Sequence, residues 1–209
     1  MVGRIVSEEV LPAVYHVQFP TQHLLAYTFL RFQEHYESPK FRGKVFSLEE
    51  FMDWYAADRG SFSYLEDWTG FNIPSRVLKP FYEGKFDPLS RKEQALLDRF
   101  ESVEGRFYII GTSEEHPDAI DHELAHGLFY TNSEYRRAAT SMLERWPIGR
   151  LERFLSKLGY ASNTIRDEAH AHLACDFEYL KRKKAVTDRL RPLHKGLKAL
   201  LKHYISKRD

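Results

Sequence analysis

Cysteine is nearly absent: the 209-residue chain has one, Cys175. A lone thiol excludes an intramolecular disulfide and an all-cysteine zinc site, so any metal must be held by histidine and carboxylate. Long apolar runs are missing as well. Stretches such as 24–30 and 108–110 are far shorter than the roughly 20 residues that span a bilayer, and the opening MVGRIVSEEV lacks the apolar segment of a signal peptide. These absences lead us to expect a soluble, cytoplasmic protein without a membrane span, although export by a non-classical route would leave the same marks. Asp167-Glu-Ala-His170 spells a helicase box, but the chain lacks a GxxxxGK[ST] phosphate loop, which removes that reading. No repeat, low-complexity tract or flexible linker interrupts residues 1–209, which reads as one domain.

The chain has ample apolar material, 43% of residues with 14% aromatic, enough for a sizeable core. Its net charge of +1 conceals an asymmetry: residues 181–209 carry 11 Lys or Arg against 2 Asp, leaving the first 180 residues acidic. Such a segment can hold nucleic acid. The plainer reading is a basic C-terminal helix docked on the domain through Leu190, Leu193, Leu197, Leu200 and Leu201.

Local patterns predict a helix-rich α+β fold. Residues 10–19 are β-branched and aromatic and read as a strand ended by Pro20. Thr21 caps a helix running to about Ser38. Ser47 with Glu50, and Ser90 with Glu93, read as capping boxes for helices over about 48–57 and 91–103. The aromatic-rich stretch between Gly60 and Pro74 reads as a long loop over a small core, able to wall a cleft. Residues 106–111 form the clearest buried strand. Helices follow over about 117–130, 133–145, 148–158 and 166–184.

The segment that carries chemistry is Pro117–Tyr130, PDAIDHELAHGLFY. Residues four apart share a helix face, so His122 and His126 can grip one cation while Glu123 reaches a water on it. Ile120, Leu124 and Leu128 form an apolar stripe on the opposite face, so the helix can pack on a core with its histidines in a cleft. Catalytic zinc takes three protein ligands. A histidine six residues after His126 would be one solution, but Asn132 stands there, so the third ligand must come from farther along.

Glu168 is the best candidate, in RDEAHAHLACD, where Ala169, Ala171 and Ala174 allow two helices close approach. His172 shares its face at i+4 and is expected to stabilise a developing oxyanion or orient a ligand. Two alternatives stay open: His172 as third ligand with Asp176 orienting it, and Asp167 in place of Glu168. Tyr130, Tyr135 and Tyr179 could donate to an oxyanion, though each is more simply structural.

His122-Glu-x-x-His126 followed by a glutamate on a later alanine-rich helix resembles the gluzincin branch of the zinc metallopeptidases, especially its small intracellular members, over about Arg106–Tyr179. The resemblance implies a peptidase in which His122, His126 and Glu168 bind zinc and Glu123 is the general base, acting on a peptide or protein substrate. The chain departs from the pattern in having no Asn before Glu168 and no Asp four residues after it. Two other readings compete. Glu123-x-x-His126 and Asp167-x-x-His170 could build a di-iron carboxylate oxidase with Glu34 or Glu37 as bridges, which requires four long facing helices. Alternatively, a non-catalytic, metal-stabilised fold could use its basic tail, 181–209, to bind nucleic acid.

Overall fold

The computed structural model describes residues 5–160, 162 and 164–206. Four strands, β1 (Val6–Leu11), β2 (Val14–Phe19), β3 (Gly70–Pro74) and β4 (Tyr108–Ser113), form one mixed sheet in the order β1-β2-β4-β3. β2 and β4 run parallel in the centre, while β1 and β3 pair antiparallel at the edges. The first half of the chain adds α1 (Gln22–Glu37), α2 (Leu48–Arg59), α3 (Tyr64–Asp67), α4 (Lys79–Tyr82) and α5 (Arg91–Phe100). The second half supplies α6 (Ile120–Thr131), α7 (Ser133–Glu144), α8 (Gly149–Leu158), α9 (Ile165–Cys175), α10 (Phe177–Arg182) and α11 (Arg191–Ile205). The class is α+β, helix-rich, with a small sheet.

Strand alternation assigns each half to one face of the sheet. Val17, Ile109, Phe71 and Ile73 point toward α1, α2 and α5, where Leu25, Phe29, Phe32 and Phe51 complete an aromatic core. Val14, Tyr108 and Ile110 point the other way, onto Leu124 and Leu128 of α6 and the core that α7, α8, α9 and α11 build around them. Each fully buried Leu, Ile or Phe stabilises this arrangement by about 1.5–3 kcal/mol relative to exposure. Gly127 sets how close α6 comes to the sheet: a Cβ there would lie 2.8 Å from Cγ1 of Val14. Leu193, Leu197 and Leu201 of α11 are buried in this second core, while Lys195, Lys198 and Lys202 stay exposed; residues 207–209 of the basic segment lie outside the described residues. No helix among the described residues is long and apolar enough to cross a membrane.

Three elements differ from their sequence patterns. The strand expected over 10–19 is a hairpin, because Pro12 has no N–H to give a ladder and Ala13 takes a left-handed φ of 59° that reverses the chain. The expected loop after Gly60 contains β3, whose Gly70 and Pro74 sit at its two ends and read locally as breakers. The helix expected over 166–184 is two, α9 and α10, parted at Asp176, whose carboxylate is drawn to histidines of the site.

Glu93 does more than cap a helix. It completes the capping box with Ser90 and also pairs with the buried Arg31 through bonds of 2.6 and 2.7 Å. Arg31 donates further to the carbonyls of Phe86 and Pro88. Glu93→Ala leaves that guanidinium without a counter-ion at 5% exposure, and we expect it to lower unfolding stability by about 3–5 kcal/mol in chemical denaturation. A loss within the few tenths typical of a surface substitution would show the pair to be dispensable.

Candidate metal centre

Two helices from the second half of the chain build the site. α6 follows a single turn of 3-10 helix at Pro117–Ala119 and lies against β4 and β3. α9 packs against α6, and its Ala169, Ala171 and Ala174 are all buried among the helices around it. The Nε2 atoms of His122 and His126 lie 3.2 Å apart, and Oε1 of Glu168 is 3.7 Å from Nε2 of His126. All three ligand atoms fall within 4.8 Å of one another. Zinc bonds of about 2.0–2.2 Å place tetrahedral donors about 3.3–3.6 Å apart, so the trio is spaced to hold such an ion. Two buried atoms, Oε2 of Glu168 and Nε2 of His172, have no hydrogen-bond partner and stand 3.8 Å from each other. Orphaned polar atoms are expensive in a protein interior, and together with the N, N, O donor set they fit a cation.

The opposite ring nitrogens are all occupied by carboxylates. Oδ2 of Asp176 lies 2.7 Å from Nδ1 of His122 and 3.0 Å from Nδ1 of His172, and Oδ1 of Asp167 lies 2.9 Å from Nδ1 of His126. Each acid accepts the Nδ1–H of its imidazole and so turns Nε2 toward the centre. His122, His172 and Asp176 also cluster within ligand range, but their contacts are these hydrogen bonds. Asp167 therefore serves as an orienter of His126, and Asp176 orients two histidines at once.

Electrostatics follow from this crowding. Burial alone would push His126 down, but the charges of Asp167, Glu168 and Glu123 outweigh it and hold its pKa well above the ordinary value. His122 is raised in the same way: burial lowers it, but its bond to Asp176 and the charges of Glu123 and Asp176 together outweigh that. Asp167 and Asp176 are held far below the usual carboxylate range against the cost of their burial, chiefly by His126 and His122 respectively. Burial lowers His172, leaving it neutral near pH 7 with a bare lone pair on Nε2. Glu168 is raised by burial. A cation entering this site must displace the protons that His122 and His126 hold in its absence. Zinc affinity is therefore expected to rise with pH through the raised imidazole range, with protons released on binding. Calorimetry in buffers of different ionisation enthalpy measures that release; an affinity independent of pH would contradict it.

Glu123 lines the same cleft, a cavity of about 300 Å³, and is held from the sheet. Asn72 of β3 donates from Nδ2 to its Oε2 at 2.7 Å, and the Tyr108 hydroxyl donates to Oδ1 of Asn72. Gly70 on the same strand leaves room for the carboxylate, since a Cβ there would fall 2.4 Å from Oε1 of Glu123. Gly70→Ala is expected to displace the Glu123 carboxylate from Asn72 while leaving His122, His126 and Glu168 in place, which a crystal structure of the variant would show; an unmoved carboxylate would contradict it. Glu37, at the end of α1, also faces the cleft, and burial together with the charge of Glu168 pushes it up to about 8. Tyr64, Phe71 and the half-exposed Trp68 wall the cleft, as does Tyr160.

Other candidates lie elsewhere. His170 is fully buried with Nδ1 on the Asp167 carbonyl at 2.6 Å and Nε2 3.2 Å from the Tyr135 hydroxyl, turned away from the trio. Tyr130, Tyr135 and Tyr179 are not among the residues lining the cleft. His16 bonds Thr112, and His194 bonds the Leu173 carbonyl. Asn72, Tyr108 and Gly70 were not legible as site residues, because what joins them to α6 is the sheet register and not sequence spacing; Tyr160, just past the end of α8, lines the cleft without any local signal. Asp176 left a trace at i+4 from His172. No family model, no curated protein and no solved structure matches this chain.

Proposed function

We propose that the chain is a zinc-dependent hydrolase, a peptidase acting on peptide or protein substrates in the cytoplasm, with His122, His126 and Glu168 as ligands and Glu123 as general base. The observation that carries this reading is the convergence of three donor atoms, two of them on imidazoles oriented by carboxylates, with a second glutamate, Glu123, that is outside the trio and held by Asn72. A zinc ion held there supplies Lewis-acid polarisation of a carbonyl and an acidified water. Glu123 takes the proton of the attacking water and hands it to the leaving amine, and Asn72 keeps the carboxylate aimed during both transfers. His172 would stabilise the oxygen on which charge develops only by taking up a proton at Nε2, which its pairing with Asp176 favours and its burial opposes. β3 and the aromatic wall beside Glu123 supply a surface for an extended chain.

One observation favours a second reading. Neutral His172 offers a lone pair toward Glu168, and a fourth protein ligand would close the site, as in structural zinc. The protein would then be metal-stabilised and non-catalytic, with the basic segment 181–209 available to nucleic acid. His172→Ala separates the two: under the hydrolase reading zinc stays near one per chain and turnover falls, whereas under the closed-site reading zinc affinity collapses. The oxidase reading draws less support, because His170 presents no nitrogen to the centre.

A further inference from the structure

Beyond the C-terminal end of α6 lies a second cavity, of about 260 Å³, with a lining unlike that of the cleft. Among the described residues, Arg42, Arg76 and Arg136 line it, and Asp167 is the one acid in its lining. Asp167 is already committed, through Oδ1, to His126 and His170. Arg76 lies over the rings of Tyr36 and Tyr130, at 5.3 and 5.6 Å, and its Nη1 reaches the Tyr130 hydroxyl at 3.3 Å. Arg136 uses Nη1 for the carbonyls of Phe129 and Tyr130 at the end of α6. Neither Arg76 nor Arg136 is in an ion pair with a carboxylate among the described residues, and both keep further N–H donors. This gathering of positive charge stands in the acidic part of the chain, so the general charge balance does not explain it.

We propose that this cavity binds a phosphoryl group, as free phosphate or as the phosphorylated end of a larger molecule. Guanidinium forks match phosphate oxygens bidentately, and Arg76 and Arg136, which have no carboxylate partner among the described residues, favour a dianion over the single charge of a carboxylate. The volume is below the roughly 300–1,000 Å³ of sites that enclose whole small molecules, so it suits a compact terminal group. The rings of Tyr36 and Tyr130 both lie against Arg76, which limits the ordering cost when an anion arrives. The inference does not depend on zinc or on hydrolysis.

The test is calorimetric titration of the full-length protein as purified, at constant ionic strength, with orthophosphate, with O-phosphoserine and with acetate. Saturable binding of orthophosphate or phosphoserine is expected, with acetate weaker by about tenfold or more. Arg76→Gln and Arg42→Gln, both changes of exposed side chains, are each expected to weaken the phosphate compound by about tenfold. Preference for phosphoserine over orthophosphate would identify a phosphorylated residue as the source. Absence of saturable binding by either compound, acetate binding equally well, or unchanged affinity in the Arg42→Gln/Arg76→Gln double variant would overturn the proposal. Unchanged affinity in that variant would place any phosphate signal elsewhere, the metal centre included.

Discussion

Glu123→Gln is expected to keep about one zinc per chain while lowering peptide hydrolysis by about 10²–10⁴-fold, the range that general acid–base catalysis contributes. Glu123 stands outside the ligand trio, and its carboxylate is held by Asn72 from β3. Glutamine has nearly the same shape and can still accept the Asn72 hydrogen bond through its amide oxygen, so the cleft should keep its form. The variant loses only the ability to take a proton. Turnover measured beside metal content separates this from damage to the site: both falling together would mean that the fold or the ligands had been disturbed, and undiminished turnover would remove Glu123 from the mechanism.

Glu168→Ala is expected to change stability in opposite directions with and without metal. In the metal-free protein Glu168 is 5% exposed, its Oε2 has no hydrogen-bond partner, and burial raises its pKa. Removing such a group relieves a desolvation cost of about 1–3 kcal/mol, so the chelated variant should melt at or above the temperature of the chelated parent. With zinc present the order should reverse, since the parent gains the full linkage energy of a bound ligand and the variant, lacking one donor, gains little. His126→Ala differs, because it takes from the buried Asp167 its main counter-charge, leaving the longer contact to His170, and should destabilise both forms. Thermal unfolding of these proteins with zinc and with chelator would show the crossing of the curves. An ordinary structural glutamate would give a loss in both conditions.

What could be read from the sequence divides along physical lines. His122, Glu123 and His126 were legible because helix geometry is local: i, i+4 spacing fixes a shared face whatever the rest of the chain does; Glu168, on another helix, could be named only as a candidate, from the small residues around it and the resemblance. The helix-rich α+β class was legible for the same reason, through capping residues such as Thr21 and Ser90, whose hydroxyls do accept the expected backbone bonds. β3 was not, because five residues framed by Gly70 and Pro74 carry a loop's composition and become a strand only by pairing with β4, about 40 residues later. With it were lost Asn72 and Gly70, which position Glu123. Glu93 read as a cap and proved also to be half of a buried ion pair 62 residues from Arg31, a contact that no local pattern encodes.

The most direct test of the account is to determine the metal content of the purified protein and the atoms bonded to that metal, by elemental analysis together with anomalous diffraction at the zinc edge. The account predicts one zinc per chain, bonded to Nε2 of His122, Nε2 of His126 and the carboxylate of Glu168, with Glu123 facing the ion without ligating it. Failure to retain any metal after incubation with zinc, a pair of iron ions, or an ion seated away from Glu168 would contradict it.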